Sequence, residues 1–380
     1  MRILIASDKF KGSLTGPEVA AALAEGIRSV DGDIHVSAVP VADGGEGTVD
    51  AAVDAGFAAE FQTVTGPTGD PVTARYAVRG TQAIIEMAAA SGLNLLPGGR
   101  LAPLTATSRG TGELIRAALE RGCTSIVLGV GGSACTDGGA GMLQALGLRL
   151  MDASGAEVGP GGAALAQVAQ VDVSGLDGRV GATEFVLAGD VDNPLLGPEG
   201  AAAVFAPQKG ARTADVALLE AALTRWAAML ESQPGVRPAS TEPGAGAAGG
   251  VGFAALAALG ARREPGAEVV QRLTGLAAAI DDADLVVTGE GSLDEQSLAG
   301  KAPIGVARAA SAAGVPAVAV CGRTTLTPAQ LQQVGFLRVY AVTDLAPDIA
   351  TAIANARGYV VQLGRRLAQD AHAIVDRAAH

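Results

Sequence analysis

Residues 1–30 read MRILIASDKFKGSLTGPEVAAALAEGIRSV, and this stretch decides the fold class. The short apolar run at residues 3–6 predicts a buried strand, and a polar turn follows it. A helical pattern then covers residues 18–30, with Thr15 in the N-cap position and Glu18 in the capping-box position. A strand that leads through a turn into a helix is the unit from which α/β proteins are built.

The same alternation recurs along the rest of the chain. Further short apolar runs predict strands at residues 36–41, 126–130, 185–188, 285–288, 317–320 and 339–342. Helical patterns follow several of these runs, at residues 112–121, 140–146 and 301–313. Continuous apolar strands that alternate with helices predict an α/β fold with mainly parallel sheets.

Residues 61–88 have a different pattern. The segments FQTVTGP, PVTARYAV and QAIIEMA are separated by turn residues and show no helical period, so they predict antiparallel strands. The strand–helix alternation resumes near residue 284. We therefore expect two α/β domains. One is a Rossmann-like, doubly wound domain of residues 1–60 and 284–380, and the other is a mixed α/β domain of residues 61–283 inserted into it.

Charge and cysteine content argue against several classes of protein. The net charge of −12 and the lack of a basic run disfavour nucleic-acid binding, which needs a basic surface. The three cysteines are odd in number and lack metal-binding spacing, so neither a disulfide framework nor a zinc site is expected. The sequence shows no export signal, and its longest uncharged stretch, residues 244–261, is too rich in glycine and alanine for a membrane span. We expect a cytoplasmic enzyme that binds neither nucleic acid nor membrane.

Polar residues follow the first two predicted strands, at the edge where an open α/β sheet binds ligands. Lys9 and Lys11 come after the first strand and before a helix, where they could hold a carboxylate or a phosphate. Asp43 and Glu46 lie in VADGGEGT after the second strand, where they could bind Mg²⁺ or orient a hydroxyl group. A solvated turn, or the preference of acidic residues for the first turn of a helix, is the alternative interpretation.

The third polar segment is rich in glycine. Residues 128–147 read LGVGGSACTDGGAGMLQALG, and backbone N–H groups in such a loop can hold an anion. Ser133, Thr136 and Asp137 add polar side chains to it. The segment is not a Walker A sequence, and that sequence occurs nowhere in the chain.

Two further strands are followed by acidic residues and lysines. Asp190 and Asp192 lie in AGDVDNPLLG, where they could bind Mg²⁺ or act as a general base. Lys209 lies in VFAPQKGA, where it could neutralise a phosphate. Glu290 and Lys301 lie in LVVTGEGSLDEQSLAGK, another polar segment after a strand. An Asx-rich turn before proline and an exposed loop are the structural alternatives.

These segments together favour phosphoryl transfer. The three histidines lie outside them, so a Ser-His-Asp or Cys-His mechanism is poorly supported. Carboxylates, lysines and backbone N–H groups are what phosphoryl transfer needs. A dehydrogenase would need a G-x-G-x-x-G turn after a strand, and the match at Gly244, Gly246 and Gly249 lacks that strand. A transcription regulator would need a helix-turn-helix or a basic surface, and the sequence predicts neither.

The same segments, in this order, resemble the type I glycerate kinase family. The resemblance covers residues 7–307 and rests on SDKFKGSL, ADGGEGT, GVGGSACTDGGAGMLQALG, DVDNPLLGPEGA, VFAPQKGA, GAGAAGGVGFA and DLVVTGEGSLDEQSLAGKAPIGVA. It implies a two-domain α/β kinase that converts glycerate to 2-phosphoglycerate with ATP and Mg²⁺. A kinase that gives 3-phosphoglycerate, or that acts on a related small hydroxy acid, is the alternative. Cys135 and Thr136 depart from the family, in which Thr or Ser and then Asn often precede the residue that matches Asp137.

With this resemblance, each candidate residue receives an expected role. Asp190 is the expected general base, with Asp43 as the second candidate, and Asp190 and Asp192 are expected to bind Mg²⁺. Lys9 and Lys11 are expected to hold the glycerate carboxylate or the transferred phosphoryl group. The residues expected to bind the cofactor ATP are Gly131, Gly132, Ser133, Asp137, Lys209 and Glu290. The sequence leaves the oligomeric state and the preferred glycerate enantiomer open.

Overall fold

The computed structural model describes residues 1–42, 44–298 and 301–378. Its strands are β1 (Arg2–Ser7), β2 (His35–Ala38), β3 (Ala58–Thr65), β4 (Pro71–Arg79), β5 (Gln82–Glu86), β6 (Ser125–Gly129), β7 (Arg149–Met151), β8 (Gln170–Asp172), β9 (Glu184–Ala188), β10 (Arg262–Glu264), β11 (Leu285–Leu293), β12 (Ala317–Thr324) and β13 (Phe336–Ala341). Its α-helices are α1 (Gly16–Val30), α2 (Thr48–Asp54), α3 (Ala88–Ser91), α4 (Arg109–Glu120), α5 (Ala140–Ala145), α6 (Thr213–Glu231), α7 (Ala247–Ala258), α8 (Gly266–Thr274), α9 (Leu276–Asp281), α10 (Glu295–Leu298), α11 (Ala302–Ala312), α12 (Pro328–Gln333), α13 (Ile349–Ala354) and α14 (Ala356–Ala378).

The chain divides into two compact units, Met1–Asp43 with Ala267–His380, and Gly44–Gly266. These bounds differ from the predicted boundaries at residues 60/61 and 283/284. Helix α2 contacts strands β4 and β5 and therefore lies with the second unit. Leu276 and Ile280 of α9 belong to the same apolar core as Leu4 of β1, so α9 lies with the first unit. That the two units are domains able to fold alone stays a prediction.

The first unit contains a parallel five-stranded sheet with the order β13-β12-β11-β1-β2. Alternate residues of the central strands point to opposite faces, as a strand's period of two requires. Ile3 and Val287 join the core formed with α1 and α14, whereas Leu4 and Val286 join the core formed with α9 and α11. Helices therefore cover both faces of the sheet, which confirms the doubly wound α/β prediction.

Helix α1 begins with the predicted capping box. The Thr15 hydroxyl accepts a hydrogen bond from the Glu18 N–H, and the Glu18 carboxylate accepts one from the Thr15 N–H at 2.8 Å. The buried face of α1 packs against α14, and two glycines set the distance between the helices. A Cβ atom on Gly26 would lie 2.1 Å from the Val361 carbonyl oxygen, and one on Gly364 would lie 2.5 Å from that of Leu23. Only glycine lets these two backbones approach so closely.

The second unit contains a mixed six-stranded sheet with the order β10-β9-β6-β5-β4-β3. Strands β5, β6, β9 and β10 are parallel, whereas β3, β4 and β5 form an antiparallel meander. The meander predicted for residues 61–88 is therefore confirmed. Trp226 of α6 lies fully buried in the core of this unit, and its indole N–H donates to the Gly138 carbonyl at 2.9 Å.

The parallel strands of each unit end side by side, so the segments that follow them start from one edge of the sheet. In the first unit, Ser7 at the end of β1 pairs with Gly289 of β11. In the second unit, Glu86, Gly129 and Ala188 stand side by side at the ends of β5, β6 and β9. In the described part of the chain, no helix is both long enough and apolar enough to cross a membrane.

Candidate active site

Lys9 and Lys11 follow β1 and lie beside β11. The Asp8 N–H donates to the Gly289 carbonyl at 2.9 Å, and the Lys9 N–H donates to the Asp8 carboxylate at 2.7 Å. A Cβ atom on Gly291 would lie 3.1 Å from the Lys11 nitrogen, so this segment runs directly along β11. Phe10 between the two lysines is buried and anchors the segment in the core. The structure thus places two cationic side chains at the carboxyl end of a parallel sheet.

Glu290 lies on β11 at the same edge of the first unit. Its carboxylate is buried, accepts a hydrogen bond from the Ser297 hydroxyl, and lies 3.6 Å from the Lys301 ammonium. Burial raises the pKa of Glu290, and the contacts with Ser297 and Lys301 partly oppose that shift. Lys9, Lys11, Glu290 and Lys301 therefore form a polar region around the carboxyl ends of β1 and β11.

A short segment, residues 44–49, crosses the strand ends of the second unit. Asp43, which precedes it and was predicted as a second base, lies outside the described residues. A Cβ atom on Gly129 would lie 2.4 Å from the Gly44 carbonyl oxygen, and one on Gly131 would lie 2.7 Å from the Gly45 Cα atom. Glycine at positions 129 and 131 is therefore required for this close approach of the two segments.

Glu86 at the end of β5 holds the same segment. One oxygen of its carboxylate accepts hydrogen bonds from the Gly47 N–H at 3.0 Å and from the Val49 N–H at 2.6 Å. Both N–H groups belong to the start of α2, where negative charge is favourable. Glu86 was not singled out from the sequence. The signal available in the sequence is an acidic residue directly after the apolar run AII, at the end of a strand.

Asp190 and Asp192 follow β9 and lie at the surface. The Asp190 carboxylate accepts a hydrogen bond from the Gly266 N–H at 2.9 Å. The Asp192 carboxylate is 76% exposed and lies 2.6 Å from the Arg263 guanidinium. Among the residues that the structure describes, no three His, Cys, Asp or Glu side chains are grouped so that they could hold a metal ion by themselves. A cation at these aspartates would need further ligands, such as phosphate oxygens or water.

The glycine loop, residues 131–139, follows β6. The Leu93 N–H donates to the Gly132 carbonyl, and the Ala134 N–H donates to the Ser91 carbonyl, each at 2.9 Å. Within the described residues, the N–H groups of Gly131, Gly132 and Ser133 donate to no acceptor. Gly132 has φ of 72°, a left-handed conformation that favours glycine. Three consecutive N–H groups at a strand end can bind an anion.

Asp137 joins the glycine loop to the starts of two helices. Its buried carboxylate accepts hydrogen bonds from the Ser108 N–H at 2.8 Å, the Ser108 hydroxyl at 2.9 Å and the Thr107 hydroxyl at 3.3 Å, all at the start of α4. It also accepts from the N–H groups of Gly139 at 3.2 Å and Gly141 at 3.3 Å, at the start of α5. The predicted contact of Asp137 with ATP stays a prediction, and in the structure its carboxylate binds protein donors.

Lys209 ends a short 3₁₀ turn, Pro207–Lys209, and points into the protein. Only 2% of its surface is exposed. Its ammonium group donates to the Ser133 hydroxyl at 2.8 Å and to the Cys135 carbonyl. Burial lowers the pKa of Lys209, whereas burial raises the pKa of the neighbouring Cys135 thiol. The predicted contact of Lys209 with phosphate also stays a prediction.

The structure gathers the candidates in two places. Lys9, Lys11 and Glu290 share one strand edge of the first unit, while the glycine loop, Asp190 and Asp192 share one strand edge of the second. The sequence marks Ser108 and Ser297 only as polar residues of their segments and predicts no role for either, whereas in the structure both are buried hydroxyl donors to a carboxylate. Serine is common at turns and helix starts, so its role cannot be assigned until its partner is known.

The chain is similar to several known proteins over nearly its whole length. Residues 3–372 match the sequence profile of the glycerate kinase family. The chain is 46% identical to the glycerate kinase of Bacillus subtilis and 44% identical to the glycerate 2-kinase of Escherichia coli, and each alignment covers 97% of both proteins. A crystal structure from Salmonella typhimurium LT2, described as that of a candidate glycerate kinase 2, matches with a TM-score of 0.86, 44% identity and 98% of both chains covered.

Proposed function

Because the chain belongs to the glycerate kinase family, we propose that it transfers the γ-phosphoryl group of ATP to the C2 hydroxyl group of glycerate. The product is 2-phosphoglycerate. The observation that carries this proposal is the similarity to the Escherichia coli protein named glycerate 2-kinase, at 44% identity over 97% of both chains. The three cysteines are free and buried, which supports a reducing compartment such as the cytoplasm as its location.

The glycine loop is the proposed site for the phosphates of ATP. Its N–H groups at Gly131, Gly132 and Ser133 would donate to phosphate oxygens, and the absence of protein acceptors for them within the described residues supports this role. Asp137 and Lys209 would contribute by holding the loop, since their side chains bond to it from inside the protein. Glu290 is proposed as a further contact of the cofactor, with Lys301 and Ser297 beside it.

Asp190 and Asp192 are the proposed Mg²⁺ ligands. Both offer hard carboxylate oxygens at the surface after β9, and one or two carboxylates with phosphate oxygens and water suit this ion. Arg263 forms an ion pair with the Asp192 carboxylate and would compete with Mg²⁺ for its oxygens. When bound, Mg²⁺ would neutralise negative charge on the ATP phosphates.

Asp190 is also the proposed general base, with Asp43 as the second candidate. A carboxylate within hydrogen-bonding distance of the C2 hydroxyl would accept its proton as the oxygen attacks the phosphoryl group. Lys9 and Lys11 would hold the glycerate carboxylate or the moving phosphoryl group by charge. Their place at the carboxyl end of β1 supports this role, because open parallel sheets bind ligands there.

A turnover assay with product identification tests the proposal. Purified protein, Mg-ATP and either enantiomer of glycerate are mixed, ADP release is followed, and the product is examined by phosphorus NMR. We expect ADP release with one enantiomer and a phosphoryl group on C2. A product phosphorylated only on C3 would favour the 3-phosphoglycerate alternative. If neither enantiomer released ADP, glycerate would not be the substrate.

A further inference from the structure

We infer that Lys209 is a positioning residue, which holds the glycine loop in its nucleotide-binding shape from inside the protein and does not touch the nucleotide. This inference rests on the proposed function, because it takes the glycine loop as the phosphate site. The ammonium group contacts the Ser133 hydroxyl at 2.8 Å and the Cys135 carbonyl. These two contacts lie on either side of Ala134, in the middle of the loop.

The burial of the Lys209 ammonium group is unfavourable for protein stability. The side chain is 2% exposed, and within the described residues it forms no ion pair with a carboxylate. An ammonium removed from water costs several kcal/mol unless hydrogen bonds and nearby charge compensate for it. A side chain that only filled space would be replaced by an apolar one at a gain in stability. The two loop contacts and the nearby Asp137 carboxylate are the compensation that the structure provides.

The middle of the loop is held by backbone bonds and by Lys209 together. The Gly132 carbonyl and the Ala134 N–H bond to the backbone at Leu93 and Ser91, and the Asp137 carboxylate holds the end of the loop. On either side of Ala134, the Ser133 hydroxyl and the Cys135 carbonyl are bonded to Lys209. The direction of the Cys135 carbonyl fixes the plane of the next peptide, because a peptide unit is rigid and planar. Lys209 therefore fixes both the Ser133 rotamer and the peptide that follows Cys135.

Titration calorimetry with Mg-ATP and no glycerate tests the inference apart from catalysis. We expect Lys209→Met to weaken Mg-ATP binding about 10- to 100-fold, the range for losing hydrogen bonds to a charged group. Binding of adenosine, which carries no phosphate, should not change. Arg225→Met is the matched control, because Arg225 also donates to a carbonyl in the second unit, that of Val168, and lies outside the loop. This control should bind Mg-ATP like the wild type.

Ser133→Ala separates a positioning role from direct contact. If Lys209 acts through the loop, Ser133→Ala weakens Mg-ATP binding, and the double variant is no weaker than Lys209→Met alone. If Lys209 contacts phosphate directly, Ser133→Ala frees the ammonium group, binding stays equal or improves, and the inference is wrong. Should Lys209→Met fail to fold, the Ser133→Ala result alone decides between these outcomes.

The proposed function and the inference can fail separately. A wild-type protein that binds Mg-ATP but phosphorylates no form of glycerate would overturn the proposed substrate, while the binding comparison would still test Lys209. A wild-type protein that binds no Mg-ATP would overturn both, because the glycine loop would then hold no nucleotide phosphate.

Discussion

Replacement of Asp137 by Ala should sharply destabilise the second unit. The change removes an acceptor of hydrogen bonds from Ser108, Thr107, Gly139 and Gly141 and leaves these donors buried. The two short bonds from Ser108 are worth about 1.5 kcal/mol each, and each of the three longer ones is worth about 0.5 kcal/mol. We therefore expect the free energy of unfolding to fall by about 4 to 5 kcal/mol.

Trp226 makes the measurement specific for this part of the molecule. It is the one tryptophan in the chain, and its indole bonds to Gly138, the residue next to Asp137. Urea denaturation followed by tryptophan fluorescence therefore reports on the second unit, and circular dichroism follows the whole chain. Asp137→Asn, which keeps one carbonyl oxygen as an acceptor, should be destabilised less than Asp137→Ala.

Asp192→Ala provides the control for this experiment. It removes an aspartate from the same unit, but its carboxylate is 76% exposed and pairs with Arg263 at the surface. Exposed ion pairs contribute about 0 to 1 kcal/mol, so little loss is expected. If Asp137→Ala cost no more than Asp192→Ala, the carboxylate would not hold the starts of α4 and α5, and our account of the glycine loop would be wrong.

Three further predictions concern chemistry and pH. Lys9→Met or Lys11→Met should lower kcat/KM about 100-fold without changing thermal stability, since each removes a positive charge that binds the glycerate carboxylate or the transferred phosphoryl group. If kcat/KM were unchanged in both variants, the two lysines would belong to a solvated surface turn with no role in the reaction. Asp190→Asn should lower kcat about 10²- to 10⁴-fold if Asp190 is the base. Partial recovery of the activity at raised Mg²⁺ would show instead that Asp190 is a metal ligand. Normal activity at every Mg²⁺ concentration would show that Asp190 has neither role and would leave Asp43 as the candidate base. Glu290→Gln tests the raised pKa of Glu290. The folded protein holds a proton on this carboxyl group that the unfolded chain releases near pH 4.5. The free energy of unfolding of the wild type should therefore fall relative to that of the variant as the pH rises through the raised pKa of the folded protein. If the difference in the free energy of unfolding between the two proteins, measured by urea denaturation, did not change with pH, this prediction would be wrong.

The sequence was sufficient for features that depend on neighbours along the chain. The capping box of Thr15 and Glu18 and the antiparallel meander of β3 to β5 follow from local patterns, and the structure confirms both. The doubly wound arrangement follows from the alternation of apolar strands with helices. The family resemblance of the polar segments is confirmed by the match over residues 3–372.

Features that depend on contacts between distant residues were not predictable. Glu86 binds N–H groups nearly forty positions earlier, and Lys209 contacts residues more than seventy positions earlier. Nothing in the sequence around Lys209 shows that its ammonium group is buried. The unit bounds differ from the predicted boundaries for the same reason, because the packing of α2 and α9 is decided by apolar surfaces that only the tertiary structure brings together.

The order of elements in the first unit has a consequence for how the protein is made. Strand β1 lies between β2 and β11, and α1 packs on α14, yet β11 and α14 follow the whole of Gly44–Gly266 in the sequence. A ribosome adding about 5 to 20 residues per second needs about 10 to 45 s to synthesise that intervening unit. During this interval the apolar side chains of β1 and α1, such as Ile3 and Leu23, lack the cover that β11 and α14 give them. The emerging chain therefore exposes apolar surface of the kind that chaperones protect, and the rate at which the second unit is translated sets how long that surface stays exposed.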